Sequence, residues 1–419
     1  MASRADLERL AEGQVLDDVP LDRAEAVALN ATKLVSVAPG AHGWRVTAAY
    51  AVGALQCGEL TVRVRPKVGV LQVLRLLARS HGISLIALDD ARVGLTDDTD
   101  LTTVLAVLFA REAASALAGG PMRGYRTEDQ TLPVLRGRIR LRDQELRRFG
   151  ALVPLEVTVD EWTTDSDDNR RIRAATRRLL SIPDLPDSVR HRLSHVDRLL
   201  AVVHVAPRGG VVAPWTPTRL NTRLHRLLHL ADLVLDQATV EHRVGDVQVH
   251  GFVLSMWTLF ERLVTKLLQE NQGSLQVMAQ ETHDLDTRGR LSIQPDIEIR
   301  DGRVVVAVAD TKYKLLDDKG KFPNADAYQL VTYCRRLGLT TGHLIYAAGD
   351  AQPEPYEIVG AGVQLVAHTV DLAQSITDVE RQVGSVLRRI SGASDTTGLN
   401  PRSGAFYSAA TVLKVGATD

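Results

Sequence analysis

The stretch that decides the fold is QPDIEIRDGRVVVAVADTK, Gln294 to Lys312. Pro295-Asp296 opens one apolar run, Asp301-Gly302 interrupts it, and Val304 to Ala309 forms a second run that ends on Asp310-Thr311-Lys312. Two such runs around an Asp-Gly pair read as adjacent strands joined by a tight turn. Lys312 lies two residues after Asp310 and so shares its face of the strand. A D-x-K triplet alone says little, since Asp317-Asp318-Lys319 is another in an apparent loop. Context separates them: the first pair of charges follows a fully apolar strand, where charge is costly without a task.

The plain reading of Asp310 and Lys312 is a strand-end salt bridge facing solvent. The chemical reading is phosphodiester hydrolysis, which needs positive charge beside the phosphate and a water with its proton loosened. Two carboxylates from adjacent strands, Asp296 and Asp310, suit Mg²⁺, an oxygen-seeking ion. Lys312 would orient the water or oppose charge on the phosphate. Register tests this picture. A two-residue turn at Asp301-Gly302 pairs Arg300 with Arg303, sets Asp296 opposite Ala307, and puts Asp310 on the other face. A shared metal therefore requires an odd-length loop or a bulge, and Gly302 is the residue expected to permit it.

Outward from this hairpin, the apolar spacing predicts a helix over 252–269. Glu261 on that helix has Trp257, Val264 and Leu268 as its neighbours, so its carboxylate is costly unless a metal or a lysine meets it. The alternative is an acid at the polar edge of the stripe, beside Arg262 and Lys266. A helix over 325–337 carries Gln329, which could steady the lysine or a metal-bound water. Short strands are expected at 344–348 and 364–367.

The first half alternates strands and helices. Period-2 alternation predicts a strand over 59–65, and helical spacing predicts helices over 70–80, 101–117, 165–180 and 220–237. From Leu135 to Leu141, Arg136, Arg138 and Arg140 alternate with Gly137, Ile139 and Leu141. As a strand, this would place those three and Arg142 on one face, able to grip phosphates; the alternative is a solvated charged face. The division expected is an α+β region over 1–240, an α/β domain with a mixed sheet flanked by helices over 241–375, and a helix end with a mobile tail over 376–419.

Composition excludes several classes. The chain has 419 residues, 45% hydrophobic and 24% charged, with a formal net charge of -1. That is a globular balance and not a polybasic nucleic-acid binder, so any DNA surface must be a local patch. The two cysteines, Cys57 and Cys334, support neither a zinc site nor a disulfide framework. The early charges at the N-terminus and the lack of a long apolar run point to a cytoplasmic protein with no membrane segment. His191 with His195, and His225 with His229, have i,i+4 spacing but lack the glutamate of HExxH; they read as ordinary helix histidines. No GxxxxGK[ST] occurs, so this chain is expected to bind no nucleotide.

Helix with Glu261, then P-D, strand, D-x-K, and helix with Gln329 resembles the PD-(D/E)xK nuclease core. The wording Pro295-Asp296-Ile297 with Asp310-Thr311-Lys312-Tyr313-Lys314 resembles the McrC family, the nuclease subunit of McrBC-type modification-dependent restriction systems. Arg65-Pro66-Lys67-Val68-Gly69, Gly120 to Tyr125 with Leu135 to Ile139, and Asp165 with Asn169 are similar to further family segments. The likeness spans about residues 45 to 370. It implies a Mg²⁺-dependent DNA endonuclease with Asp296 and Asp310 as metal ligands, Lys312 as catalytic lysine, and Glu261 and Gln329 in support, Glu261 also toward the metal. It also implies an AAA+ GTPase partner that reads modified double-stranded DNA, docked through the N-terminal half. A non-catalytic activator of that NTPase with a retained nuclease fold, or a partner-independent repair nuclease, are the competing readings.

Overall fold

A computed structural model describes residues 3–81, 101–182, 184–205, 213–236, 238–244, 247–315, 323–348 and 355–392. The second D-x-K triplet and the expected tail after residue 392 lie outside these.

The hairpin read from the sequence forms the second and third strands of a six-stranded mixed sheet. Its order is Gln276–Ala279, Ile297–Asp301, Val304–Leu315, Thr341–Ala348, Val363–Thr369 and Pro355–Ile358. The Ile297–Asp301 and Val304–Leu315 strands are antiparallel, whereas Val304–Leu315, Thr341–Ala348 and Val363–Thr369 run parallel. Parallel neighbours need a crossover, and the Asn324–Leu337 helix supplies it. That helix covers one face, packing Leu330, Tyr333 and Cys334 on Val308, Leu344 and Tyr346. The Met256–Glu270 helix covers the other, where Phe260, Leu263 and Leu267 share a core with Ile297, Ile299 and Ala309. Each such buried side chain contributes about 1.5–3 kcal/mol.

The turn falls one residue later than the sequence suggested. Asp301 pairs with Val304, leaving Gly302 and Arg303 as the turn, with Gly302 at φ +59°. A bulge follows: Arg300 pairs with Val305 and Ile299 with Ala307, so Val306 is the extra residue. The bulge is thus present but sits at Val306; Gly302 is occupied by the left-handed turn.

The first half builds a five-stranded sheet in the order Leu10–Ala11, Leu60–Arg65, Ala51–Cys57, Val247–Ser255, Ala238–Val244. Here a second expectation fails. Phe252 to Ser255 are extended and pair with Ala54 to Ala51, and the helix begins only at Met256. Ser255 caps it, accepting a hydrogen bond from the Thr258 N–H. The apolar run at 252–254 fitted helical spacing, but a fully buried strand has the same composition. The first-half sheet therefore extends past residue 240, to Ser255. The helices Val70–Ser80, Leu101–Ala116 and Asp167–Leu180 stand where spacing placed them, and their apolar sides join the Met256–Glu270 helix in one core. Arg79 reinforces that junction by pairing with Glu270 and Glu380 from two other helices. Among the described residues no helix is long and apolar enough to cross a membrane.

Gly342 sets how closely the Asn324–Leu337 helix approaches the sheet. A Cβ there would stand 2.7 Å from both Cys334 Sγ and Leu330 Cγ. Gly342→Ala should cost about 1–3 kcal/mol through overpacking, read by urea unfolding. Adding Cys334→Ala should recover part of that loss; a neutral single variant would show that the helix is free to shift.

Candidate active site

The bulge carries the site. Beyond it, Ile297 pairs with Ala309, so the register sets Asp296 at the level of Asp310. Asp296 is held by Thr311, whose backbone N–H (2.7 Å) and Oγ1 (2.8 Å) both donate to its Oδ2. Asp310 is 1% exposed. Its Oδ2 faces the Lys312 ammonium in an ion pair, yet has no hydrogen-bond donor of good geometry. Burial, and then the charge of Asp296, push the Asp310 carboxyl up to about 6, against the pull of Lys312.

Lys312 is gripped from several directions. Its Nζ donates to Gln329 Oε1 at 3.1 Å and lies 5.8 Å from the Trp257 ring centroid. Gln329 Nε2 donates to the Tyr333 hydroxyl (2.6 Å), which donates in turn to the Gln294 carbonyl (3.3 Å). Gln329 thus contacts the Lys312 ammonium and Tyr333 at once. Glu261 is half-buried one turn after Trp257, and its carboxyl is raised by burial and by the charge of Asp296. Asp296, Asp310, Lys312, Glu261 and Gln329 are therefore brought to one place.

Sequence reasoning missed three members. Tyr333 extends the Gln329 relay. Glu298 is fully buried two residues after Asp296, where it takes His283 and Arg300 as partners, and Arg300 also reaches Glu281. Gln280 donates to Glu261 Oε1. Alternation of Asp296, Glu298 and Arg300 with Ile297 and Ile299 was the available signal for the second; Tyr333 reads as an ordinary helix residue beside Gln329, and Gln280 has no local signal because its partners come from distant segments.

The strand face of arginines does not form. Only Arg138 and Ile139 are strand; Arg140 precedes the Leu141–Arg148 helix and Arg142 lies in its first turn. Arg136 pairs with Glu161, and Arg140 with Asp129 and Asp143. Gly137 at φ +77° lies against the Thr158 carbonyl and ends the alternation. Of the histidines, His225 accepts or donates a bond at Asn221 and packs on Trp215, as an ordinary helix residue does.

The acids offer only hard oxygen donors, and the under-bonded buried oxygen of Asp310 fits an additional cation. Among the described residues no three His, Cys, Asp or Glu side chains form a ready cage. Asp296 is taken up by Thr311 and Asp310 by Lys312. Mg²⁺ keeps several waters and takes one or two carboxylates, so such a donor set fits it.

Fold and site together define an α/β protein whose mixed sheet carries an acid–lysine cluster at its second and third strands, joined to a mostly antiparallel sheet. The family model described as McrBC 5-methylcytosine restriction system component matches residues 46–347, and the chain belongs to that family. A solved structure, the refined half-complex from a tetradecameric assembly of Thermococcus gammatolerans McrB AAA+ hexamers with bound McrC, is 20% identical. It covers 91% of this chain and 99% of that one, with a TM-score of 0.57. A cryo-EM structure of the Thermococcus gammatolerans McrBC complex is 21% identical over 63% of this chain and 87% of that one, with a TM-score of 0.40. No curated protein matches.

The raised Asp310 carboxyl has a signed consequence for stability. Folding favours its protonated form, so its contribution is full below the unfolded value near 3.8 and is lost as pH rises through about 6. In EDTA, Tm should fall between about pH 4 and 6.5, and Asp310→Asn should flatten that fall and melt a few degrees above wild type at about pH 7.5. Parallel Tm profiles for the two proteins would count against the strained carboxylate.

Proposed function

We propose that this chain is the Mg²⁺-dependent DNA endonuclease subunit of a modification-dependent restriction system of the 5-methylcytosine type, with a PD-(D/E)xK-type nuclease domain. The observation that carries this is the bulge, which brings Asp296 level with Asp310 and leaves a buried, under-bonded carboxylate beside Lys312. A retained scaffold has no use for that cost. Asp310 and Asp296 would hold Mg²⁺, with Glu261 in support; bound there, the ion supplies positive charge at the scissile phosphate and a more acidic water. Lys312 donates to the phosphate or the attacking water once Asp310 turns from it. Gln329, aligned by Tyr333, and the Trp257 face keep the ammonium in place through that exchange.

The cutting would take place in assembly with an AAA+ GTPase ring, a reading supported by the fold shared with the Thermococcus McrC that is bound to McrB AAA+ hexamers. The Gly124–Leu132 and Leu155–Thr163 strands, with the Leu141–Arg148 helix, support a docking role for the first half. That helix has no buried residue, and Leu146, Phe149 and Leu152 are 62%, 91% and 85% exposed. Apolar groups so concentrated fit a protein partner better than solvent.

Methylated and unmethylated plasmids, the neighbouring NTPase, Mg²⁺ and GTP or ATP supply the test. Asp310→Ala and Lys312→Ala should each lower cutting by about a hundredfold or more while NTPase stimulation persists. Phe149→Ser with Leu152→Ser should do the reverse, lowering stimulation and, through it, cutting. A wild type that stimulates the NTPase but cuts no DNA would overturn the nuclease reading in favour of the scaffold.

A further inference from the structure

We propose that Gln280 is a positioning residue that holds Glu261 toward the Asp296–Asp310 pair. The inference rests on the metal-site reading above and adds a residue that no sequence motif marks.

Gln280 follows the edge strand Gln276–Ala279 and sits at φ +50°, a left-handed conformation that side chains other than Gly, Asn and Asp seldom adopt. Such backbone persists where surrounding contacts over-determine it. Here they do. The Gln280 N–H donates to the Asp296 carbonyl (3.1 Å), and the Gln280 carbonyl accepts from Gln294 Nε2 (2.9 Å). Both backbone groups are thereby tied to residues flanking Pro295. The side chain then reaches the Met256–Glu270 helix, where Nε2 donates to Glu261 Oε1 at 2.5 Å.

One residue thus connects the main chain of Asp296 to the carboxylate of Glu261. Those two acids repel one another. With no donor between the elements, Glu261 would swing to the solvent edge beside Arg262, the alternative that its sequence position allowed. The amide of Gln280 opposes that swing and leaves Glu261 Oε2 free for a ligand. Hydrogen-bond partners that orient metal-ligating groups typically matter by 10–100-fold in metal affinity.

A glycine substitution separates this role from a structural one. Gln280→Gly keeps both backbone hydrogen bonds and relieves the left-handed strain, so it should melt at or above the wild-type temperature. The full-length, metal-free protein is titrated with Mn²⁺ and the free ion followed by EPR. Gln280→Gly should bind Mn²⁺ about tenfold more weakly. Glu261→Gln should show a similar loss, and the double variant no further loss. Wild-type affinity in Gln280→Gly, or additive losses in the double variant, would overturn the proposal while leaving the metal site intact. If wild type itself binds Mn²⁺ no better than Asp310→Ala, the metal-site reading fails and this inference fails with it.

Discussion

One inserted residue governs the site. The side-chain period of a strand is two, so an unbulged hairpin with this turn would leave Asp296 level with Ala309 and face Asp310 the other way. Val306 removes that conflict by adding one residue between Val305 and Ala307. Both strands keep their apolar sides on the helices, and past the bulge their acids come level. The polar ladder beneath supports this register. Arg300 stands opposite the bulge and clamps the buried Glu298. Breaking that pair would leave a carboxylate stranded in the interior, so the strand has little freedom to slip.

The Val304–Leu315 strand divides its labour by face. Asp310 and Lys312 point to the site, and Lys314 continues the row to pair with Asp326 at 2.7 Å, an acid that also accepts from the Tyr346 hydroxyl. Thr311 and Tyr313 point the other way. Thr311 secures Asp296, and the Tyr313 hydroxyl donates to Glu12 Oε2 at 3.2 Å in the first half. Glu12 is buried, and burial raises its carboxyl. Every residue of DTKYK therefore has a defined partner, which is why the block is distinctive as sequence while a D-x-K triplet alone is not.

What was legible in the sequence follows the range of the forces involved. Helices with a clear apolar stripe, Val70–Ser80 and Asn324–Leu337 among them, were readable because their period is local. Asp296, Asp310, Lys312, Glu261 and Gln329 were readable because charge beside apolar runs is costly and because the spacing matched a known pattern. Phe252 to Ser255 were misread, since a buried strand leading straight into a helix shows one unbroken apolar run. The arginine row was misread because Gly137 breaks the alternation, and a single glycine carries no signature of its dihedral angle. Gln280 was invisible: its importance lies in φ and in contacts with residues 16 and 19 positions away, neither of which a linear pattern encodes.

That misread junction bears on how the two halves act together. Val247–Ser255 pairs with Ala51–Cys57 in the first-half sheet, and the same chain turns at Ser255 directly into the helix bearing Trp257 and Glu261. No linker intervenes. The helix N-terminus is tied again to the first half, where the Met256 N–H donates to the Tyr50 carbonyl, and Tyr50 packs edge-on against Tyr313. A displacement of the first-half sheet would therefore reach both sides of the site, through the helix to Glu261 and through Tyr313 to the strand of Lys312. Packed interiors transmit such shifts because they have few voids to absorb them.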